Sequence, residues 1–224
     1  MDLIKQINQL PYFDLKNINE SSSIAIVGQR HCGKTQMIET LLSNVAHYDD
    51  VYRANGLYDT DYNIEKNIGD VLKSTDINTI VLDDVIIGTN SWKNFQKLMF
   101  NGRNYKKNIL IGMQSLIDLP TAYRKNLQYI FIRCGSSFDR KRIYEYIEGT
   151  DNNNLTWEKY NEIIDQVWNE PDYQWIVIDN TKKRENENPK LYYYSKTKPP
   201  TAVVSASDSN TSMMDVIWNW MTWQ

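Results

Sequence analysis

The stretch Ile24-Ala-Ile-Val-Gly-Gln-Arg-His-Cys-Gly-Lys-Thr35 decides the fold. Its apolar, mostly β-branched start leads into the spacing Gly28-x-x-x-x-Gly33-Lys34-Thr35, and a helical pattern of apolar residues follows. A strand, a glycine loop and a helix in this order are typical of a phosphate-binding loop. The sequence therefore predicts a site for a nucleoside triphosphate; the alternative is a glycine turn that matches the spacing by chance.

Each fixed position of this loop has a chemical task. Lys34 can reach the β and γ oxygens, Thr35 can hold Mg²⁺, and the start of the following helix favours an anion. We expect the nucleotide to contact the whole loop and the residue after it: Gly28, Gln29, Arg30, His31, Cys32, Gly33, Lys34, Thr35 and Gln36.

A second motif ends the apolar run Thr79–Leu82, where two carboxylates, Asp83 and Asp84, are adjacent. Asp83 is predicted to bind the Mg²⁺ water shell beside Thr35, and Asp84 to polarise the attacking water near the γ-phosphate. Paired acids also begin many turns, but the phosphate loop upstream favours the catalytic interpretation.

A third candidate is Gln114, near the end of the apolar stretch Asn108–Ser115. A polar side chain at the carboxyl end of a central strand points into the ligand crevice of an open α/β sheet. Two interpretations stay open: Gln114 senses the γ-phosphate or orients water, or it is an ordinary hydrogen-bonded amide.

The composition indicates a soluble globular chain of 224 residues with a net charge of −3. Its two cysteines predict neither a disulfide framework nor a metal site. We expect no membrane span and no signal peptide.

The charge is unevenly distributed. Between Lys93 and Arg142 there are eleven Lys or Arg residues against two acids, Asp118 and Asp139. This stretch is either a solvated helix face or a surface that binds phosphates. For the second case the exposed candidates are Lys106, Lys107, Arg140, Lys141 and Arg142.

The chain is predicted to contain a lead-in (1–23), a P-loop ATPase domain (24–194) and a linker with a Trp-rich tail (195–224). The fold class is α/β, a RecA/ASCE-like P-loop NTPase whose mostly parallel sheet is flanked by helices and ends in a β-hairpin. Pattern and turn signals predict helical turns over Asp2–Leu10, an α-helix from Lys34 to about Val45, and further helices over Ile64–Lys73, Trp92–Phe100, Phe138–Glu148 and Trp157–Trp168. Further strands are predicted at Val51–Tyr58, Tyr129–Arg133, Gln174–Ile178 and Leu191–Tyr194, the last two forming the hairpin.

The tail carries Trp218, Trp220 and Trp223. These side chains either anchor the chain to a partner or a membrane surface, or they fold back onto the body.

Together these motifs resemble a viral genome-packaging ATPase of the FtsK–HerA superfamily, of the poxvirus, giant-virus and virophage type. The likeness rests on Gly28–Thr35, on Leu82–Val85, and on Phe100–Arg103 leading through Ile109–Ile111 to Gln114-Ser115, Leu119-Pro120 and Arg124–Asn126. Two positions depart from the family pattern: Asn104 stands where it has histidine, and Cys32 where serine is more usual.

The resemblance implies ATP as substrate, with Mg²⁺, and a hydrolytic centre of Lys34, Thr35, Asp83 and Asp84 with Gln114 as sensor. It also implies a homo-oligomeric ring, a pentamer or hexamer, on double-stranded DNA. A neighbouring subunit would then supply an arginine to the γ-phosphate, with Arg103 the first candidate and Arg124 the second. Either arginine could instead pair with a local carboxylate or contact DNA.

The resemblance further implies a place in the host cytoplasm, at the viral factory, or in the virion, and contact with a capsid vertex or portal protein.

The main competing function is a P-loop nucleotide or small-molecule kinase, although the adjacent carboxylates are unusual for that class. A regulatory GTPase is disfavoured because no Asn-Lys-x-Asp motif is present. A protein that binds ATP without hydrolysis is disfavoured by the Asp83-Asp84 pair.

Overall fold

The computed structural model describes residues 10–45, 47–55, 64–84, 92–133, 137–148, 156–169, 174–181 and 190–196. The predicted turns over Asp2–Leu10, the linker and the Trp-rich tail lie outside the described residues, apart from Leu10, Ser195 and Lys196.

A seven-stranded sheet forms the centre of the fold, in the order β2-β3-β4-β1-β5-β6-β7. The strands are β1 (Ser23–Gly28), β2 (Val51–Asn55), β3 (Thr79–Asp83), β4 (Asn108–Met113), β5 (Tyr129–Arg133), β6 (Trp175–Asp179) and β7 (Lys190–Tyr194). The first five run parallel, whereas β6 pairs antiparallel with both β5 and β7. The predicted α/β class is confirmed. Strand β2 ends at Asn55, and the rest of the predicted Val51–Tyr58 strand lies outside the described residues.

Helices flank the sheet, and each predicted helix from Lys34 onward agrees with the structure to within one residue at either end. The helices are α1 (Lys34–Asn44), α2 (Ile64–Lys73), α3 (Trp92–Asn101), α4 (Thr121–Arg124), α5 (Ser137–Glu148) and α6 (Trp157–Asn169). The described ranges also contain three 3₁₀ turns: Leu15–Asn17, Gly102–Tyr105 and Leu116–Asp118. None of the helices in the described ranges is long and apolar enough to cross a membrane.

The two faces of the sheet are covered by different helices. Helix α1 packs on one face, where Met37, Ile38 and Leu41 contact the same apolar cluster as β1, β3 and β4. Buried side chains of α2, α3, α5 and α6 cover the other face. Every residue of β1 is therefore buried, as expected for a parallel strand with both faces covered.

Part of the lead-in belongs to this folded core. Tyr12 forms a parallel bridge with Tyr193, and the N–H of Phe13 donates to the carbonyl of Tyr193 at 2.8 Å. The Phe13 ring is 2% exposed and packs edge-on against Tyr129 and Phe131. The lead-in thus covers the outer edge of β7, which the sequence pattern did not indicate.

The strand order brings the predicted functional residues to one edge. Strand β4 lies between β1 and β3, with Gly112 paired to Ile26 on one side and Asp83 on the other. Because these three strands are parallel, their carboxyl ends meet at the same edge. The phosphate loop, the acidic pair and Gln114 all follow those ends.

Candidate functional site

The phosphate loop joins β1 to α1 with the geometry of an anion site. His31 (φ 63°) and Gly33 (φ 92°) adopt left-handed conformations that turn the chain. Gly33 precedes α1 and no side chain caps that helix, so its first N–H groups are available to a phosphate. Most of the remaining loop is exposed, whereas Cys32 is buried beneath it.

Gly28 is required because the backbone of the loop is closely packed there. A Cβ at this position would lie 2.3 Å from the carbonyl oxygen of Arg133 and 2.4 Å from Sγ of Cys32. The first glycine of the motif therefore lets the end of β1 approach β5 while the loop folds over it.

Lys34 places its charge inside the loop. Its side chain is 6% exposed, and Nζ donates to the carbonyl oxygens of Gly28 at 2.9 Å and Gln29 at 3.2 Å. The same atom lies 3.8 Å from Oδ1 of Asp84. The ammonium group is thus within reach of both the loop and the acidic pair.

Thr35 and Asp83 form a pair of oxygen ligands. Thr35 Oγ1 donates to Oδ2 of Asp83 at 3.2 Å, and Oδ1 of Asp83 is buried with no hydrogen-bond partner among the described residues. A buried carboxylate oxygen left free beside a hydroxyl suits Mg²⁺, which takes oxygen ligands and binds through one or two carboxylates. The residues present therefore fit the predicted ion.

The electrostatics of Asp83 also favour a cation. Burial and the charge of Asp84 raise the pKa of Asp83, while the hydrogen bond from Thr35 and the charges of Lys34 and Arg53 oppose this rise. Two carboxylates so close repel each other, and a divalent ion between them and a triphosphate would relieve that repulsion.

Arg53 is a neighbour that sequence reasoning missed. It lies on β2 and forms a two-pronged ion pair with Glu39 of α1, at 2.5 and 3.0 Å. Glu39 is four residues after Thr35, so the two side chains share one helix face. The spacing of Thr35 and Glu39 is the sequence signal that places Glu39 near the site. It does not indicate that Arg53 of β2 is the partner of Glu39.

The backbone of Asp84 is held in an unusual conformation. Its φ is 48°, and its N–H donates to the carbonyl of Gly112 at 3.1 Å. Aspartate and asparagine tolerate this left-handed region better than most residues do. This conformation holds Asp84 at the carboxyl end of β3, beside Lys34 of the phosphate loop.

Gly112 is a further supporting residue. A Cβ there would lie 2.2 Å from Oδ1 of Asp83, so only glycine leaves room for the carboxylate. A glycine inside an apolar strand is a sequence signal for such a close approach.

We predict that Gly112→Ala lowers Mg²⁺-dependent nucleotide hydrolysis about 100-fold, since the added methyl group displaces the Asp83 carboxylate and misplacement by about 1 Å can cost this much. Gly69→Ala is the matched control, because a Cβ at Gly69 meets nothing within 4 Å. Hydrolysis measured across a Mg²⁺ titration checks the prediction. A Gly112→Ala variant with the same Mg²⁺ dependence as Gly69→Ala would contradict it.

Gln114 lies directly after β4, which ends at Met113. Met113 pairs with Val27 of β1, so Gln114 follows between the phosphate loop and the Asp84 turn. Its side chain is exposed. This position is compatible with a role as phosphate sensor.

Arg103 and Arg124 lie away from this site, near the amino ends of the parallel strands. Arg103 is exposed in the turn before β4, and Arg124 is half-buried in α4 before β5, where it donates to Oγ1 of Thr121 at 2.8 Å. Arg103 lines a polar groove of about 580 Å³ with Phe100 and Lys125. Strand β4 spans roughly 17 Å at 3.3 Å per residue, so neither side chain reaches the phosphate loop of its own chain.

The prediction that Lys107 is exposed is wrong. It is 4% exposed, and Nζ donates to the carbonyls of Ser74 and Ile77, so the side chain ties the turn before β4 to the loop before β3. Burial lowers its pKa, although the charge of Asp76 opposes this.

The other basic candidates differ from one another. Lys106 and Lys141 are exposed. Arg142 is exposed but paired with Glu145, and Arg140 is half-buried, pairs with Asp165 and lies over the Trp168 ring. The exposed charge of this stretch is therefore smaller than its composition suggests.

Comparison with known proteins identifies the fold. The chain superposes on the genome packaging NTPase B204 of Sulfolobus turreted icosahedral virus 2 in complex with ATPγS, with a TM-score of 0.54 and 14% identity, covering 78% of this chain and 98% of that one. The same NTPase in complex with AMPPCP gives a TM-score of 0.51 and 14% identity over 82% of this chain and 100% of that one. The DNA-packaging ATPase B204 of Sulfolobus turreted icosahedral virus gives 0.52 and 13% identity over the same shares. The chain thus has the P-loop NTPase fold of these packaging proteins, and the FtsK–HerA label stays a prediction.

Sequence comparison adds one relative. An uncharacterized protein of Acanthamoeba polyphaga mimivirus, L437, is 24% identical over 119 residues, which cover 51% of this chain and 40% of that protein. The match thus spans less than half of the relative's length. No protein-family model matches the chain.

Proposed function

We propose that this chain is an ATP-hydrolysing motor that moves double-stranded DNA into a viral capsid. The observation that carries the proposal is the meeting of Lys34, Thr35, Asp83 and Asp84 at one edge of a sheet with the fold of packaging NTPase B204. That NTPase has been solved in complex with ATPγS and AMPPCP, which supports ATP as the nucleotide.

Binding begins at the phosphate loop. The N–H groups at the start of α1 donate to the phosphate oxygens, and Lys34 turns its ammonium from the loop carbonyls toward the β and γ oxygens. Thr35 and Asp83 would hold Mg²⁺, which would supply positive charge against the negative charge that develops on the phosphate oxygens.

Hydrolysis requires an oriented water molecule. Asp84 lies beside Lys34 at the carboxyl edge and accepts the proton of that water, while Gln114 orients it from the neighbouring strand. The two residues follow adjacent parallel strands, so both lie at the edge where the phosphate loop begins.

An arginine from a second copy completes the site. Arg103 is too far from its own phosphate loop to act there, and its exposed position suits contact with another subunit. The guanidinium would stabilise the charge that grows in the transition state. A head-to-tail contact of this kind closes into a ring, as proposed for a pentamer or hexamer.

DNA contacts are proposed to be made with the phosphate backbone through exposed cations such as Lys106 and Lys141. Such contacts are independent of base sequence and weaken with salt. For a packaging role we propose that the chain acts in the host cytoplasm, at the viral factory, or in the virion. Its proposed partner there is a capsid vertex or portal protein, with the Trp-rich tail as a candidate anchor.

The experiment is steady-state ATP hydrolysis with and without long double-stranded DNA, at low and moderate salt. The proposal predicts stimulation by DNA that declines with salt, as expected for backbone contacts. Hydrolysis indifferent to DNA, or phosphate transfer to added nucleoside monophosphates, would overturn it in favour of the kinase.

A further inference from the structure

A short hydrogen bond lies one residue beyond Gln114. Ser115 Oγ donates to Oδ1 of Asp139 at 2.5 Å, a length typical of a hydroxyl bonded to a carboxylate. Both side chains are half-buried, which shields the bond partly from water. The bond therefore joins the end of β4 to α5, across 24 residues of sequence.

The same hydroxyl makes a second contact. Ser115 Oγ accepts from the N–H of Ile117 at 3.4 Å and so caps the 3₁₀ turn Leu116–Asp118. Leu116 in that turn is buried in the core. The Ser115 hydroxyl therefore donates one hydrogen bond, to Asp139, and accepts another, from the N–H of Ile117. These two hydrogen bonds hold the Ser115 side chain in one orientation.

Asp139 is held by a well-anchored helix. It lies in the first turn of α5, where a carboxylate is favoured by the helix dipole. Further along α5, Ile143 and Ile147 are 2% and 1% exposed in the core, and the helix packs against the Leu116–Asp118 turn. Asp139 is thus a firm support for Ser115.

Gln114 itself needs such support. Its side chain is exposed, and a free glutamine loses considerable rotamer entropy when it is held in one orientation. Its backbone is fixed by β4 on one side and by Ser115 on the other. Catalysis depends on this kind of prior orientation, since errors of about 1 Å reduce rates strongly.

We infer that Asp139 is a positioning residue for ATP hydrolysis, which acts through Ser115 to hold Gln114 toward the γ-phosphate. This inference rests on the proposed function and adds to it the device that orients the sensor. Asp139 is one of the two acids in the basic stretch Lys93–Arg142. Its sequence pattern alone would indicate only a solvated helix residue.

The primary test is the Asp139→Ala variant, which removes the acceptor and leaves the Ser115 cap in place. We expect kcat to fall about tenfold with KM for ATP unchanged, because the phosphate contacts are intact. Asp139→Asn should recover most of the rate, since its amide oxygen can still accept from Ser115. Asp14→Ala is the control: Asp14 is likewise a half-buried acid and, like Ser115, caps a 3₁₀ turn, Leu15–Asn17, but it lies outside the site, so kcat should not change.

Ser115→Ala provides a second variant if Asp139→Ala fails to fold. Alanine has no hydroxyl proton for Asp139, so the same fall in kcat is expected; the variant also loses the cap, and Asp14→Ala reports what the loss of a 3₁₀ cap alone does. Thermal unfolding of each variant shows whether the fold is retained.

A double-mutant cycle separates positioning from a general structural effect. If Asp139 acts through Gln114, Asp139→Ala should slow a Gln114→Ala enzyme no further. Effects on kcat that multiply, or a Ser115→Ala variant with wild-type kcat, would overturn the inference while the ATPase proposal stands. A wild-type chain with no ATPase activity would overturn both.

Discussion

Asp84→Asn is expected to bind ATP as well as the wild-type chain does and to hydrolyse it about 1,000-fold more slowly. A positioned general base contributes typically 10²–10⁴-fold, and a factor of 10³ corresponds to about 4 kcal/mol of barrier. The phosphate contacts of Lys34 and the oxygen pair of Thr35 and Asp83 are left in place. Asparagine also tolerates the φ of 48° at this position, so the turn after β3 should be retained.

The measurements are equilibrium binding of a fluorescent ATP analogue and single-turnover hydrolysis. Asp50→Asn is the matched control, because Asp50 also has a positive φ, 46°, but is exposed away from the site. Lys34→Ala should lose binding itself. An Asp84→Asn variant that hydrolyses ATP at the wild-type rate would exclude Asp84 as the base.

The second large effect is expected for Arg103→Ala, which should reduce hydrolysis about 1,000-fold or more, as removal of an arginine finger does. Arg103 lies near the amino ends of the strands, away from its own phosphate loop, so under the proposed ring its guanidinium acts in the site of another copy. Mixing Arg103→Ala with Asp84→Asn chains should therefore restore part of the activity. A contact between an intact Asp84 of one chain and an intact Arg103 of the other rebuilds a complete site.

Arg124→Ala distinguishes the two candidates. If Arg124 is the arginine finger, Arg124→Ala should lose hydrolysis and regain part of it on mixing with Asp84→Asn, whereas Arg103→Ala should do neither. If Arg103 contacts DNA instead, Arg103→Ala should weaken DNA binding and leave hydrolysis without DNA unchanged. Absence of recovery in the mixture would argue against a site shared between copies.

The parts of the fold that sequence predicts well are those in which local pattern and packing agree. Residues 24–35 specify a strand, a loop and a helix by apolar period and glycine spacing, and the structure has all three. The helix at Ile64–Lys73 agrees with its prediction at both ends. In such segments the buried face follows directly from the repeat of the apolar residues.

Contacts between distant segments could not be predicted in this way. Phe13 is buried because the lead-in pairs with β7, about 180 residues further along the chain, and no local pattern encodes that pairing. Lys107 looked like one of several exposed cations, yet the carbonyls of Ser74 and Ile77 bind its ammonium group. Hydrogen bonds to backbone carbonyls leave no signature in residue type.

The candidate site shows the same division. Lys34, Thr35, Asp83 and Asp84 were identified from motif spacing, and the structure brings them together. The residues around them were not identified, because Arg53, Asp139 and Gly112 contact residues on other elements: Glu39, Ser115 and Asp83 respectively. Motifs identify the groups that contact a ligand, whereas the groups that orient them depend on tertiary structure.

The motor proposal is tested most directly by displacement of a triplex-forming third strand from long double-stranded DNA. The purified chain with ATP and Mg²⁺ should release the third strand, and Asp84→Asn, which binds ATP without cleaving it, should not. Release should also stop when ATP is replaced by a non-hydrolysable analogue. ATP hydrolysis that is stimulated by the DNA but never displaces the third strand would contradict translocation.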